Sequence, residues 1–508
     1  MHAVLGTICS GTDSPLLVWR SICRVLQKCF GIDMQLTMGM QCEADPGKQA
    51  FLQAMFPLDK DVPLFEDATT LHNKEAADAR KGGRASAVPS VTFCLTGFPC
   101  QDVSRCNPNS KSQKNRDTIR SISLRTGKVF NSVKEYYKEH GECLEGGLCE
   151  NVGGLADVSK PIDEESRAPS NLDVCVHALE QELAMHVLVF GIDPAESMGL
   201  TVHRFRYWIL HLFKEKLGNI PPDCINALAR KTMDVVCGAS EGVALEDLLL
   251  REDDQLVLDH YSEALAMADR RSTGASSSAA TSNWASSHYE ECIRQGKAWW
   301  DCHAPPKEVM DAFPGLHKLS ARELDILACS KVSYPEKQAR AINLAISFNR
   351  TRLTSSSVLG CTLPTMKEYI TSRCRVSLGL EAMHFQNIHY AEQHRLLRGY
   401  SSKFLQDLAG NAFEARTCAA ASLTMLVVCS HLHAQRASAA ATYGPPRSLK
   451  RVLSAADSSD DEERKIWQGG SEQGRPKRSL AFMLADGRFG GDCVLDDIMS
   501  FPDSGTRL

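Results

Sequence analysis

The 508-residue sequence lacks the patterns that mark secreted, zinc-stabilised and membrane-spanning proteins. It has 20 cysteines but no C-x-x-C pair, which argues against a disulfide framework and a structural zinc site. It has no run of about 18 uncharged apolar residues, and its first residues do not form a secretory signal. We therefore expect a soluble intracellular protein with reduced cysteines, no bound metal and no contact with a membrane.

The sequence also lacks an excess of either charge. It has 57 basic and 62 acidic side chains, a formal net charge of −5. This balance neither indicates nor excludes a nucleic-acid partner, because groove binding requires only a local basic surface. The apolar content of 43% is ordinary for a globular protein, and the length predicts roughly two to three domains.

Short apolar runs alternate with helical segments in the first 214 residues. Strands are predicted near residues 3–9, 36–42 and 91–95, and a helix is predicted from Pro15 to about Phe30. This alternation predicts an α/β fold with a doubly wound, mostly parallel sheet. In such sheets the functional residues lie at the carboxyl ends of the strands.

The character of the chain changes along its length. Residues 1–214 form the first part of the predicted α/β domain, and residues 215–360 are less regular, with a low-complexity insertion near 270–287. Residues 361–431 hold the remainder of this second region and then the long helix that closes the α/β domain. Residues 432–508 are rich in Ser, Pro, Gly and charge, and we expect a disordered tail.

Three clusters of reactive side chains follow strand candidates. Cys100 comes after Pro99 on a loop, where a neighbouring helix N-terminus could lower its pKa and favour the thiolate. Glu150 ends another strand, so its carboxyl group can point into the same cleft. Arg204 and Arg206, two residues apart, project to one side of a strand and can bind a phosphate or a base carbonyl. Taken singly, each has an ordinary structural explanation.

A fourth feature is the turn after the first strand, Ser10-Gly11-Thr12, together with Glu43 after the second strand and Asp67 further on. The glycine permits close backbone approach, and a carboxylate can accept hydrogen bonds from ribose hydroxyls, so the pattern suits an adenosine-containing ligand. The turn is not G-x-G-x-x-G, which argues against a dinucleotide.

The order of these elements resembles that of the C5-cytosine DNA methyltransferase family. The resemblance rests on Pro-Cys-Gln at 99–101, Glu-Asn-Val at 150–152, Arg-x-Arg at 204–206 and Gly410-Asn411, and it covers about 5–215 and 360–430. It implies a class I, Rossmann-like methyltransferase domain with a target-recognition region over 215–360. It also implies S-adenosylmethionine as cofactor and double-stranded DNA as partner.

The resemblance further implies a role for each residue in the reaction. Cys100 would add to carbon 6 of a flipped-out cytosine, Glu150 would bind ring N3, and Arg206 would bind O2. Arg204 would help to place the glutamate and a nearby phosphate. The remaining implied substrate contacts are Pro99, Gln101, Ser104 and Asn151.

The implied cofactor site draws on both ends of the chain. Glu43 would hold the ribose and Asp67 the adenine amino group. Ser10, Gly11 and Thr12 would line the methionine side. Asn411, placed at the start of the closing helix, would lie near the same pocket.

Two departures from the family pattern leave alternatives open. The usual Phe-x-Gly-x-Gly reads Cys9-Ser10-Gly11-Thr12-Asp13, and the usual Pro-Gln before the arginines reads Thr201-Val202. A non-catalytic regulatory homologue is one alternative. A tRNA methyltransferase is another, although the Cys-Phe-Thr of that branch is absent. Basic pairs at 450–451 and 475–478 are compatible with a nuclear protein.

Overall fold

A computed structural model describes most of residues 2–443. The residues it leaves undescribed within that range are 106, 108–117, 159–168, 219, 273–285, 287–288, 291–292, 295–304, 331, 346–357 and 391–393. Most of the predicted insertion near 270–287, and all of the predicted tail beyond 443, lie outside the described residues.

A nine-stranded sheet forms the centre of the main domain. Its strands, in the order in which they lie side by side, are β5 (Arg84–Ala87), β4 (Glu75–Asp78), β3 (Leu64–Phe65), β2 (Gln35–Cys42), β1 (His2–Ile8), β6 (Phe93–Thr96), β7 (Gly146–Val152), β9 (Arg206–Phe213) and β8 (Met185–Ile192). All of them except β4 and β9 run in one direction. The predicted mostly parallel α/β sheet is confirmed.

One face of the sheet is covered by helices from opposite ends of the chain. These are α1 (Ser14–Phe30), α2 (Pro46–Met55), α5 (Pro194–Met198), α6 (Pro222–Gly238) and α13 (Ala415–Tyr443). Helix α1 begins with Pro15 in its first turn and ends at Gly31, whose φ of 64° suits glycine. The indole of Trp19 on α1 donates to the Ser422 hydroxyl on α13 at 3.1 Å. The first and last long helices therefore pack as one layer.

The opposite face is covered by α3 (Arg125–His140) and α4 (Asn171–His177). Helix α3 turns Phe130, Tyr136 and Tyr137 into this second core. Helices on both faces make the sheet doubly wound, as the alternation of strands and helices predicted.

A smaller unit has its own core around Leu316, Ile326, Ile342 and Tyr369. It contains an antiparallel sheet of β10 (Ala341–Asn343), β11 (Glu368–Ile370) and β12 (Arg375–Val376), with helices α8 (Lys307–Ala312) and α9 (Ala321–Cys329). The remaining helices are α7 (Gln255–Ser272), α10 (Gly379–Phe385), α11 (His394–Leu397) and α12 (Ser402–Asn411).

The predicted start of this smaller unit needs correction. Helix α6 lies within 215–360, but its apolar face packs in the core of the main domain. Strands β11 and β12 lie beyond residue 360 and complete the small sheet, consistent with a remainder of the recognition region in 361–431. Hydrophobic burial, which composition does not report, sets where the unit begins.

The predicted closing helix is two helices. Helix α12 ends at Asn411, and α13 begins at Ala415, so Asn411 does not start the closing helix. The break is stabilised by Glu414, whose carboxylate accepts hydrogen bonds from the backbone N–H groups of Arg416 and Thr417 at 3.0 and 2.7 Å. Helix α13 also continues to Tyr443, so the tail predicted from residue 432 begins too early.

The segment Ser402–Ala437 is long and apolar enough to cross a membrane by length and composition. The apolar window that meets this test is fully buried inside the protein. Its apolar side chains are accounted for by the core that α13 forms with α1 and α6.

Candidate active site

Three sequence-distant residues meet where β6, β7 and β9 adjoin. Cys100 lies on the loop after β6, and Glu150 lies near the end of β7. Arg206 is the first residue of β9, paired with Val152. Because β9 runs antiparallel to β7, its first residue lies beside the last residues of β7. The sheet therefore brings the predicted nucleophile, acid and base-binding arginine to one edge.

Glu150 and Arg206 form a buried ion pair. Glu150 Oε1 lies 2.9 Å from Arg206 Nε, but the N–H bond is not directed at the oxygen, so Oε1 has no directed hydrogen bond. Burial raises the pKa of Glu150, and the charges of Arg206 and Arg204 act in the opposite direction. A carboxyl group in this state can donate or accept a hydrogen bond when a partner arrives.

The other guanidinium nitrogens of Arg206 have weaker or local partners. Its Nη1 donates to its neighbour's carbonyl, Phe205 O, at 2.8 Å, and its Nη2 donates to Cys361 Sγ at 3.8 Å. A thiol sulfur is a weak acceptor, so a carbonyl oxygen could replace it at little cost.

Cys100 is a half-buried thiol whose surroundings differ from the prediction. Burial raises the pKa of Cys100, and the charge of Arg206 opposes this effect more than that of Arg204. Residues 101–103 form a turn, and the N–H groups of Val103 and Ser104 donate to Cys100 O at 3.0 and 2.8 Å. The first turn of α3 does lie near this loop, but its Thr126 N–H donates to Asp102 Oδ2 at 2.9 Å. The expected lowering of the Cys100 pKa is not found, because burial outweighs the nearby positive charges.

Arg204 does not reach the surface. Its side chain donates to the backbone carbonyls of Thr362 at 2.9 Å and Gly410 at 3.3–3.4 Å, and also to that of Ala412. Only 4% of the residue is exposed, so the expected phosphate contact is wrong. Arg204 instead connects the segment before β9 to the end of α12 and the loop after it through hydrogen bonds.

The residues predicted to touch the substrate fall into two groups. Asn151 is buried, and its amide donates to Phe98 O at 3.1 Å while its oxygen accepts from Val152 N–H at 2.8 Å. It therefore holds the loop that carries Cys100 and is not available to a substrate, contrary to the prediction. The other three, Pro99, Gln101 and Ser104, lie on that loop and are partly or largely exposed.

The turn after β1 is bonded to the end of β2. The Glu43 carboxylate accepts from Gly11 N–H and from Asp45 N–H, both at 2.9 Å. The Ser10 hydroxyl donates to Cys42 O at 3.2 Å, and Thr12 Oγ1 accepts from Ser14 N–H at 3.3 Å. The three predicted turn residues are thus held in place mainly by backbone groups.

Asp67 stands apart from this turn, after β3. Its carboxylate accepts from Thr69 N–H at 2.8 Å and caps a short 3₁₀ helix, while the residue itself is exposed. A free carboxylate oxygen there could still accept from an amino group.

A small cavity lies between β1, β6 and the loop after α12. Its lining residues are Thr7, Ile8, Cys9, Ser10, Thr12, Ser14, Pro15, Leu95, Asn411, Ala412 and Phe413. Of the predicted cofactor residues, Ser10, Thr12 and Asn411 line it, whereas Gly11, Glu43 and Asp67 do not. Phe413 was missed, although it follows the recognised Gly410-Asn411 pair by two residues.

These surroundings fit an elongated ligand with an adenosine end. The Glu43 carboxylate and the exposed Asp67 carboxylate are oxygen acceptors suited to hydroxyl and amino groups. The cavity on the other side of the turn is narrow and uncharged. The residues present therefore fit an adenosine-containing cofactor such as S-adenosylmethionine.

No family model matches the chain. A curated relative, the DNA (cytosine-5-)-methyltransferase DMT5 of Cryptococcus neoformans var. grubii, is 24% identical over 446 residues. This match covers 84% of the chain but only 17% of the length of that relative.

Solved structures with a related fold include two eukaryotic methyltransferases. The Schizosaccharomyces pombe Dnmt2 methyltransferase has 11% identity and a TM-score of 0.42, covering 84% of this chain and 98% of that one. The Entamoeba histolytica methyltransferase EhMeth has 8% identity and a TM-score of 0.42, with the same two coverages.

The strand order, with a single reversed strand between β7 and β8, is that of a class I methyltransferase. The site adds a cysteine, a glutamate and an arginine at the edge where β6, β7 and β9 meet. Together with the ordered motifs, these features are similar to those of the C5-cytosine methyltransferases, and the curated relative, 24% identical to this chain, is named as such an enzyme.

Proposed function

We propose that this chain transfers a methyl group from S-adenosylmethionine to carbon 5 of cytosine in double-stranded DNA, through a covalent adduct of Cys100. The observation that carries the proposal is the buried Glu150 Oε1, which lacks a directed hydrogen bond and lies beside Arg206. An unsatisfied buried carboxyl oxygen is costly, and in its protonated form this carboxyl group can donate to ring N3 of cytosine, which is an acceptor.

The three side chains divide the chemistry of the reaction. Cys100 gives up its proton to solvent and its sulfur bonds to carbon 6, which makes carbon 5 nucleophilic. Glu150 hydrogen-bonds to or protonates N3, and Arg206 binds O2, so both stabilise the charge that develops on the ring. When bound, the cofactor would supply an electrophilic methyl group for carbon 5 and would be left as a neutral thioether. Carbon 5 then loses its proton to solvent, the 5,6 double bond re-forms as the Cys100 sulfur leaves as a thiolate, and N3 returns any proton that it took to Glu150.

The cofactor would be held by the residues around the first turn. Glu43 would accept hydrogen bonds from the ribose, and Asp67 would accept one from the adenine amino group. Ser10, Thr12 and Asn411 would border the methionine side, and Gly11 would allow close backbone approach.

Duplex DNA as the substrate is supported by the curated relative, which is named as a DNA (cytosine-5-)-methyltransferase. The pocket lies at the edge of a sheet, behind a loop, so the target base must leave the duplex to reach Cys100. A nuclear location is proposed from the basic pairs in the tail, which lie outside the described residues.

The decisive experiment measures tritium transfer from labelled S-adenosylmethionine to duplex DNA and, in parallel, to total tRNA. We expect transfer to DNA by the wild type and none by Cys100→Ala. Cys224→Ala is the matched control, because Cys224 is exposed on α6 and should be dispensable.

A second readout tests the adduct itself. DNA containing 5-fluorocytosine cannot lose a proton from carbon 5, so it should remain covalently bound to the wild type and to Cys224→Ala, but not to Cys100→Ala. Methyl transfer to tRNA but not to DNA would show that the substrate is tRNA and contradict the proposed DNA substrate. Absence of both transfer and cofactor binding would favour the non-catalytic alternative.

A further inference from the structure

The cofactor turn of this chain has Cys9 where the family pattern has an aromatic residue. We propose that Phe413, from the loop between α12 and α13, supplies the missing aromatic wall and that its ring contacts the sulfonium group of S-adenosylmethionine. This inference rests on the cofactor named under the proposed function.

Phe413 and Cys9 line the same cavity from opposite ends of the sequence. The Phe413 ring covers Gly97, where a Cβ atom would lie only 2.6 Å from a ring carbon. Glycine at position 97 is thus what leaves room for the ring. Gly97 lies three residues before Cys100, so the ring stands at the catalytic end of the cavity.

The ring is held in one place by its neighbours. Trp208 packs against it edge-on, with centroids 5.3 Å apart and an interplanar angle of 67°. The backbone on each side is fixed, because the Ser14 hydroxyl donates to Phe413 O at 3.3 Å and Arg204 donates to Ala412 O. A ring fixed before the ligand arrives loses little entropy on binding.

The cavity offers a cation no charged partner. Its lining residues, as far as the structure describes them, include no carboxylate. Burial raises the pKa of Cys9 to about 12, so this thiol is neutral at physiological pH. The face of an aromatic ring attracts a cation, and the sulfonium is the cationic centre of the methyl donor. The demethylated product, S-adenosylhomocysteine, carries no such charge.

The Phe413 ring should therefore raise the affinity for S-adenosylmethionine more than the affinity for S-adenosylhomocysteine. Cation–π contacts at desolvated sites correspond to roughly 3- to 30-fold in affinity. Replacing Phe413 by leucine or methionine keeps an apolar side chain but removes the ring. We expect a loss of that size for S-adenosylmethionine and a clearly smaller loss for S-adenosylhomocysteine.

The test is calorimetric titration of the full chain with each of the two compounds. Phe413→Leu and Phe413→Met should both lose most of the preference for S-adenosylmethionine, and Phe413→Tyr should keep it. Phe130→Leu is the matched control: it removes a buried ring from the opposite core and should leave both affinities unchanged. Thermal unfolding identifies which variants are folded. The test requires only one of the two non-aromatic variants to be folded.

Unchanged affinity of a folded non-aromatic variant for S-adenosylmethionine would overturn the inference. Equal losses for the two compounds would overturn it as well, since they would indicate apolar packing alone. In either case, binding by the wild type would leave the proposed function intact. Failure of the wild type to bind either compound would remove the proposed function and the inference together.

Discussion

The pocket around Cys100 and the turn around Gly11 lie at the same sheet, but their polar side chains differ in how many hydrogen-bond partners they have. In the pocket, Glu150 Oε1 has no directed hydrogen bond, and one Arg206 nitrogen has only a sulfur acceptor. In the turn, the side chains of Ser10 and Glu43 already bind backbone groups. The pocket is thus arranged to gain partners during a reaction, whereas the turn is a rigid frame.

The largest expected effect separates Arg204 from Arg206, which are two residues apart on the chain. Arg204→Ala leaves the carbonyls of Thr362, Gly410 and Ala412 without their donor, which should cost about 3–6 kcal/mol of unfolding free energy. Arg206→Ala leaves Glu150 buried without its ion-pair partner, but this carboxyl group can take up a proton, so the loss should be smaller, about 1–3 kcal/mol. Urea denaturation measures the unfolding free energy of both variants. Equal losses would contradict the conclusion that Arg204 has a structural role and Arg206 a role in the pocket.

Glu150→Gln is the corresponding test on the pocket side. It keeps the shape but removes the acid, so the rate of methyl transfer should fall about 10²- to 10⁴-fold. Stability should stay the same or rise, because a carboxylate whose pKa is raised by burial is no longer desolvated. A variant that loses activity only because it unfolds would refute this reading.

Asp13 is the exception within the turn, because its buried Oδ1 has no partner. Burial raises the pKa of Asp13 from its usual 3.8 to about 6. The folded state therefore holds this proton more tightly than the unfolded state, and stability falls as pH rises from about 4 to about 6. Asp13→Asn should remove that loss, gaining roughly 2–3 kcal/mol above pH 6 and little below pH 4.

The measurement is thermal or urea unfolding of wild type and variant across that pH range. Asn can still accept the hydrogen bond from the Gln41 amide, so a structural loss is not expected. A gain that does not depend on pH would show that Asp13 is not the group responsible.

The smallest effect concerns the reactivity of Cys100. Because its pKa is raised by burial, its alkylation by iodoacetamide at pH 7.5 should be several-fold slower than that of the exposed Cys143, and should speed up toward alkaline pH. Arg206→Ala should slow it further, since the Arg206 charge favours the thiolate. Peptide mass spectrometry quantifies both sites in one sample. Faster labelling of Cys100 than of Cys143 would contradict a raised pKa of the Cys100 thiol.

Much of the sheet and the meeting of Cys100, Glu150 and Arg206 could be predicted from the sequence, because strand ends converge in any parallel sheet. The burial of Arg204 could not. The two-residue spacing predicts a strand face shared with Arg206, but Arg204 precedes β9. Its partners, Thr362 and Gly410, come from segments some 160 to 200 residues away.

The break before α13 could not be predicted from the sequence either. Residues 410–431 are predicted as one apolar helix, and the interruption depends on Glu414 folding back onto Arg416 and Thr417. A glutamate in such a stretch is compatible with a continuous helix, so only the tertiary structure distinguishes the two. The same break places Phe413 in the cavity.

The pairing of α1 with α13 has a consequence for synthesis on the ribosome. Trp19 is made 403 positions before the serine that accepts its indole hydrogen bond. At about 5–20 residues per second, that interval is roughly 20–80 s. Throughout it, the side of the first helix that packs on α13 has no partner from the nascent chain, although its sheet-facing side can already be covered, as Trp19 is by Phe93. The emerging polypeptide thus presents the kind of surface that chaperones bind, and translation speed becomes a determinant of yield.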